Sequence, residues 1–302
     1  RLPSPKIIMQ ALAEVKPNIV IAVPLVIEKI YKTKVKPILE KEGIKFLMKV
    51  PGLDQIVLNK VKTELINAFG GEFYEVIIGG AAFNKEVEAF FKRMGFPFTV
   101  GYGMTECAPI ITYDDWKDEK LYSCGKAAPN MEVRIASADP VNIPGEIQVK
   151  GANVFLGYYK NETATSEVFT EDGWFRTGDM GVLDADGSLF IKGRTKCMIL
   201  GPSGQNIYPE EVETVLNSQP YVVDSLVIED DGGLTALIYP DFQQGAKDGM
   251  DQRTFLQYIK DQLPEWNKEL PNYAKLKKIE VMSEDFERTP KKSIKRYLYQ
   301  RN

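Results

Sequence analysis

Three short apolar runs near the start of the chain limit its fold more than any other feature. They are "NIVIAVP" (Asn18 to Pro24), "YEVIIGGAAF" (Tyr74 to Phe83) and "FPFTVGYGMTE" (Phe96 to Glu106). Each is compact, and the first is rich in β-branched residues, so it reads as a buried strand. Helical spacing fills the gaps, over 6–16, 25–40, 54–69 and 84–94, with Asn84 as a plausible N-cap. Strand, helix, strand in this order predicts a parallel α/β sheet.

After about residue 123 the texture changes. "MEVRIA", "GEIQVKG" and "GSLFIKG" are short alternating strands separated by turn residues, with "DADG" (Asp184 to Gly187) as a hairpin turn. This segment reads as β-rich and barrel-like. A third texture begins near residue 195. "PEEVETVLNS" opens a helix with Pro209 at its first position, "YVVDSLVIED" and "GLTALIYP" pair across Asp231-Gly232-Gly233, and a helix over 252–263 and a strand over 276–282 follow. The expected organisation is therefore 1–122 as part of an α/β domain, 123–194 as a β-rich unit, and 195–302 as a small α+β domain.

Composition narrows the chemistry. The chain has no histidine, which removes His triads, His metal sites and His general bases together. Cys107, Cys124 and Cys197 are odd in number and widely spaced, so neither a disulfide framework nor a CxxC metal pair is expected, and a reduced, cytoplasmic setting fits. The net charge of −4 argues against the whole chain as a nucleic-acid binder. Only residues 288–302 are one-sided, with six Lys or Arg and no acid. That tail reads as a solvated basic segment or as a contact with a membrane surface or a nucleic acid.

Four segments could carry chemistry. In "GYGMTE", Gly101 and Gly103 allow close backbone approach, Tyr102 could stack on a base, Thr105 could donate to a phosphate oxygen, and Glu106 could hold Mg2+. "GGAAF" offers Gly79, Gly80 and Ala81 as a backbone wall at a strand exit. In "DGWFRTGD", Asp179 could accept both hydroxyls of a ribose; the plainer reading is a turn with a salt bridge from Arg176. "GRTKCMILGPSGQNIYPEEVE" places Arg194, a bidentate donor, at a joint between domains; the plainer reading is a linker with solvated charges. Alone, each segment also fits an ordinary turn or strand end.

Together their order and spacing resemble the adenylate-forming superfamily of acyl-CoA synthetases, peptide-synthetase adenylation domains and luciferase. The resemblance runs over essentially the whole chain. Through "VPLVIEKIY", "NVFLGYYKNETATSEVFTEDGWFRTGD" and "GQNIYPEEVE" it is similar to bacterial long-chain fatty acid–CoA ligases. It implies a ligase using ATP, Mg2+, a fatty acid and coenzyme A, forming AMP and pyrophosphate through an acyl-adenylate. It implies that Gly79, Gly80 and Ala81 line the adenine pocket and that Tyr102 stacks on or flanks adenine. Thr105 would bind the α-phosphate, Glu106 would coordinate Mg2+, and Asp179 would hold the ribose with Arg194 close by. Lys196 would lie at the hinge of a C-terminal lid, and Gly204 would approach the pantetheine arm of coenzyme A.

Two departures stand out. The family's Ser/Thr/Gly-rich phosphate loop ending in Lys-Gly is not in this sequence, so the chain reads as the C-terminal portion of a longer ligase, expected to be inactive alone. The family's tail motif T-P-x-G-K-I-x-R also differs: aligning Ile294 and Arg296 puts Ser293 where the catalytic lysine belongs, with Lys292 next to it. A noncatalytic nucleotide- or partner-binding module derived from such a ligase is the alternative.

Overall fold

The computed structural model describes residues 5–201, 204–289 and 293–301. They fall into two compact units. The first comprises residues up to 143 with 147–177 and 182–190; the second comprises 144–146, 178–181 and 191 onward.

The first unit opens with α1 (Pro5–Val15), β1 (Ile19–Ala22) and a helical run of α2 (Pro24–Ile30), a π-helical turn at Tyr31–Val35, and α3 (Lys36–Leu39). Then come α4 (Glu42–Leu47), α5 (Leu53–Ala68), β2 (Glu75–Ile78), α6 (Lys85–Met94) and β3 (Phe98–Val100). The three strands form a parallel sheet in the order β1-β2-β3, with Ile19 opposite Glu75 and Val76 opposite Phe98. Helix α6 starts as its sequence dictates: the Asn84 side chain accepts from the amides of Glu86 (3.0 Å) and Val87 (3.1 Å). It stops at Gly95, whose φ of 65° suits glycine. Leu58, Val61 and Leu65 of α5 and Val87 and Phe91 of α6 pack with Val76, Ile78, Phe98 and Val100 of the strands. Each such burial contributes about 2 kcal/mol.

The expectation of a buried first strand is corrected. Val20 and Ala22 pack on this core, but Ile21 is 80% exposed and Ile19 is exposed too. Among the described residues β1 is an edge strand, paired on one side only, and alternation sends Ile19 and Ile21 to the opposite face.

After β3 the chain forms β4 (Tyr102–Gly103), β5 (Ile110–Tyr113) and β6 (Lys126–Ala127), paired in the order β4-β5-β6. Next are β7 (Met131–Ala136), β8 (Gly145–Gly151), α7 (Glu162–Glu167), β9 (Phe175–Leu183) and β10 (Leu189–Arg194), with the four strands ordered β10-β9-β8-β7. The β-rich segment thus takes the form of open sheets among the described residues.

In the second unit, β11 (Ile199–Leu200) and β12 (Asn206–Ile207) form a short hairpin before α8 (Pro209–Asn217). A sheet in the order β13-β14-β15 holds β13 (Val222–Asp230), β14 (Gly233–Pro240) and β15 (Leu276–Val281), with α9 (Phe242–Lys247), α10 (Gln252–Asp261) and α11 (Leu263–Glu269) between the last two strands. Asp231 and Gly232 both have positive φ, 50° and 67°, which closes the β13–β14 hairpin in two residues.

Candidate functional site

Parallel sheets present their loops for ligands at the carboxyl ends of the strands. Here Gly79 follows β2 and Gly101 follows β3. The Gly101 amide donates to Ile78 O at 2.9 Å, and the Gly79 amide donates to Ala22 O at 3.1 Å. The Gly79–Ala81 and Gly101–Glu106 segments therefore leave adjacent strand ends. A Cβ on Gly79 would lie 3.2 Å from Gly101 O, so the two strand exits pass close to one another here. Gly80 has a φ of 87° and open space around it.

The "GYGMTE" segment folds back as the β4–β5 hairpin. Met104 N donates to Pro109 O at 2.8 Å. A Cβ on Gly103 would run into Pro109 O, so Gly103 serves the hairpin itself rather than a ligand. Tyr102 is only 7% exposed and packs with Cys107, Ile111 and Ile147. Tyr102 is therefore largely packed into the core of the first unit. Thr105 is exposed and Glu106 is half-buried on the short turn that follows.

Sequence reasoning missed what holds this turn. The Phe155 amide donates to Glu106 O at 2.8 Å. Asn153 Nδ2 donates to Cys107 O at 2.6 Å and to Ile110 O at 3.0 Å. Tyr158 Oη donates to Glu106 Oε1 at 3.1 Å, and burial with the adjacent carboxylate pushes the phenol's pKa up. The segment 153–158 thus straps onto the turn. The signal was the "NVFLGYY" stretch, whose residues carried no assigned role.

Beneath β3 lies a buried acidic pair, also unforeseen. Glu119 Oε1 accepts from the Val100 amide at 2.7 Å, and Glu88 accepts from the Tyr122 amide. Burial first, then the neighbouring Glu88, raises Glu119 to about 8; burial raises Glu88 to about 7.

The second unit brings together Asp179 and Arg194. Arg194 Nε lies 3.2 Å from Asp179 Oδ1, with Asp179 buried and Arg194 exposed. The first half of "DGWFRTGD" is structural, in the first unit: Asp172 pairs bidentately with Arg134, which also covers the Trp174 ring at 4.4 Å. The Asp172 end of that turn is held by Arg134. Lys196 is exposed on the turn after β10. Gly204 sits in the β11–β12 loop with a φ of 76° and its amide donating to Gly201 O at 2.9 Å.

Lys292 lies outside the described residues. The segments beside it are well fixed. Thr289 N donates to Ser293 O and Lys295 N to Glu287 O, both at 2.8 Å. Arg296 pairs with Glu213, which is buried and raised to about 7 by that burial. Arg288 pairs with Asp224 and Asp285, Lys295 with Glu287, and Arg301 with Asp230 and Glu280. Four of the six basic residues of the tail are therefore ion-paired rather than free in solvent.

No group of three or more Cys, Asp or Glu suited to a metal occurs among the described residues. No helix there is long and apolar enough to cross a membrane.

Residues 1–159 match the family model described as AMP-binding enzyme, and residues 198–302 match that of the AMP-binding enzyme C-terminal domain. The long-chain-fatty-acid–CoA ligase FadD15 of Mycobacterium bovis is 32% identical over 74% of this chain and 40% of its own length. A 2-succinylbenzoate–CoA ligase of Bacillus cytotoxicus is 37% identical over 57% of this chain and 37% of its own length. The solved O-succinylbenzoate coenzyme A synthetase of Bacillus subtilis, in complex with ATP and magnesium ion, superimposes with a TM-score of 0.73 at 24% identity, over 98% of this chain and 54% of that one. That likeness establishes the fold. The chain spans about two-fifths of the length of the curated relatives it matches.

Proposed function

This chain belongs to the AMP-binding enzyme family, and from that premise we propose that it is the C-terminal portion of an acid–thiol ligase. The full-length protein joins a carboxylic acid to ATP as an acyl-adenylate, releases pyrophosphate, and passes the acyl group to the thiol of coenzyme A. The observation that carries this reading is the pairing of the Gly79–Ala81 and Gly101–Glu106 loops at adjacent carboxyl ends of a parallel sheet.

The roles follow from chemistry. Gly79, Gly80 and Ala81 form a backbone wall for the adenine, with Tyr102 at its edge. Thr105, exposed, donates to the α-phosphate. Asp179 and Arg194 hold the ribose, Lys196 lies at the hinge of the lid, and Gly204 admits the pantetheine arm. The donor set suits Mg2+ that arrives with the nucleotide: Glu106 is one half-buried carboxylate, and Mg2+ takes few protein ligands, filling its shell with phosphate oxygens and water. When bound, Mg2+ offsets the repulsion between an anionic acid and the anionic α-phosphate. No step requires a histidine, and the chain has none.

A long-chain fatty acid is the proposed substrate. It is supported by the likeness to a long-chain ligase, while the likeness to 2-succinylbenzoate ligases makes an aromatic acid the competitor. Ser293, at the place of the family's tail lysine, favours a second reading as a noncatalytic nucleotide-binding module. A panel of fatty acids of graded length, acetate and 2-succinylbenzoate, offered to the full-length protein with pyrophosphate release and thioester read separately, tests both. Activity with long chains supports the first reading; nucleotide binding without pyrophosphate release for any acid supports the second.

A further inference from the structure

We propose that Tyr158 is a positioning residue for Glu106, setting how the carboxylate is presented to a nucleotide-bound divalent cation. The inference rests on the proposed function, because it concerns the same loop. Its observations are separate.

The first is the hydrogen bond itself: Tyr158 Oη lies 3.1 Å from Glu106 Oε1, between residues 52 apart in sequence. A phenol is a neutral donor. Among the described residues Glu106 forms no ion pair with a lysine or arginine, so its charge is held in place without being cancelled. One oxygen is engaged, and the carboxylate keeps its remaining lone pairs for a cation. A lysine or arginine at the same place would orient the group equally well but neutralise it.

The second is that Tyr158 is itself fixed. Its amide donates to Thr165 Oγ1 at 2.9 Å, and that hydroxyl in turn donates to Asn161 O at 2.8 Å at the start of α7. Its ring meets Phe155 edge-on at 4.9 Å, and Phe155 meets Phe175 at 5.3 Å. Gly157 makes the approach possible, since a Cβ there would lie 2.6 Å from Thr165 Cγ2. The third is that the same strap holds the backbone of the turn, through Phe155 N on Glu106 O and Asn153 on Cys107 O and Ile110 O. Main chain and side chain of Glu106 are therefore set by one segment, which is what a positioned ligand needs.

The test is Tyr158→Phe in the full-length protein, which removes one hydroxyl and keeps the ring contact. Binding of Mn2+ to the protein–ATP complex is measured by electron paramagnetic resonance, and the Mg2+ dependence of acid-stimulated ATP–pyrophosphate exchange is measured beside it. Losing a hydrogen bond to a charged group is expected to weaken Mn2+ binding and raise the half-saturating Mg2+ about tenfold, with a much smaller fall in rate at saturating Mg2+. In a Glu106→Gln background the same substitution is expected to leave Mn2+ binding to the protein–ATP complex unchanged. Unaltered Mn2+ binding in Tyr158→Phe overturns the inference. So does an equal effect in the Glu106→Gln background, since a merely structural loss persists there. A wild-type protein that shows neither metal-dependent exchange nor Mn2+–ATP binding overturns the functional reading, and the inference with it.

Discussion

At the scale of single residues, two positions carry testable consequences. Gly103→Ala would drive a methyl into Pro109 O, and backbone has little room to yield. We expect a loss of about 2 kcal/mol in the first unit, seen as a lowered denaturant midpoint. Glu119 is the second. Its folded pKa is raised from 4.5 to about 8, mainly by burial. Between those values the folded state holds a proton that the unfolded chain has lost, so stability is fully present below pH 4.5 and falls as pH rises through 8. Glu119→Gln keeps an acceptor for the Val100 amide and removes this titration. Wild type and variant should therefore melt alike near pH 4.5, and the variant should be more stable at pH 8.5 by up to about 5 kcal/mol. Equal pH dependence of the two would refute the buried-acid account. None of this was legible in the sequence. An acid in "DDWKDEKLY" reads as solvated, and only the chain's return to β3 buries it.

At the scale of elements, apolar strands and capped helices were the easiest to read, because period and cap are local. Helix α6 follows directly from Asn84 and Gly95. The exposure of β1 was not readable, since burial of a strand depends on neighbours that its own letters do not name. The basic tail was the harder case. Its charges read as free because their acids, Glu213, Asp224 and Glu280 among them, lie far off in sequence. Removing one partner of a buried pair leaves the other unpaired, so Arg296→Ala should cost about 3 kcal/mol in the second unit. Replacing Glu213 as well, with leucine, should recover much of that loss; a double variant no better than the single would contradict the pairing. The lysines flanking Ser293 differ in kind. Lys295 is held by Glu287, its amide donating to Glu287 O. We therefore expect Lys295→Ala to leave the first half-reaction near wild type in the intact enzyme. Lys292→Ala should slow it about a hundredfold if that residue supplies the missing cation. Unchanged rates in both would rule out a lysine from this tail.

At the scale of the whole molecule, family membership rests on matches to both halves of the chain, and the reaction assigned to it rests on two loops at neighbouring strand ends. Those loops were legible because glycines and a carboxylate at fixed spacing leave a pattern. The Tyr158–Glu106 bond was not, because two common residue types far apart in sequence leave none. The chain covers 40% of the length of its first relative, so we expect the described portion alone to be silent in ATP–pyrophosphate exchange. The most direct test is that exchange in the full-length protein without coenzyme A, with and without a long-chain fatty acid. The account predicts exchange that requires the acid and Mg2+ and is lost in Glu106→Gln. Exchange that ignores the acid, or survives Glu106→Gln undiminished, would contradict it.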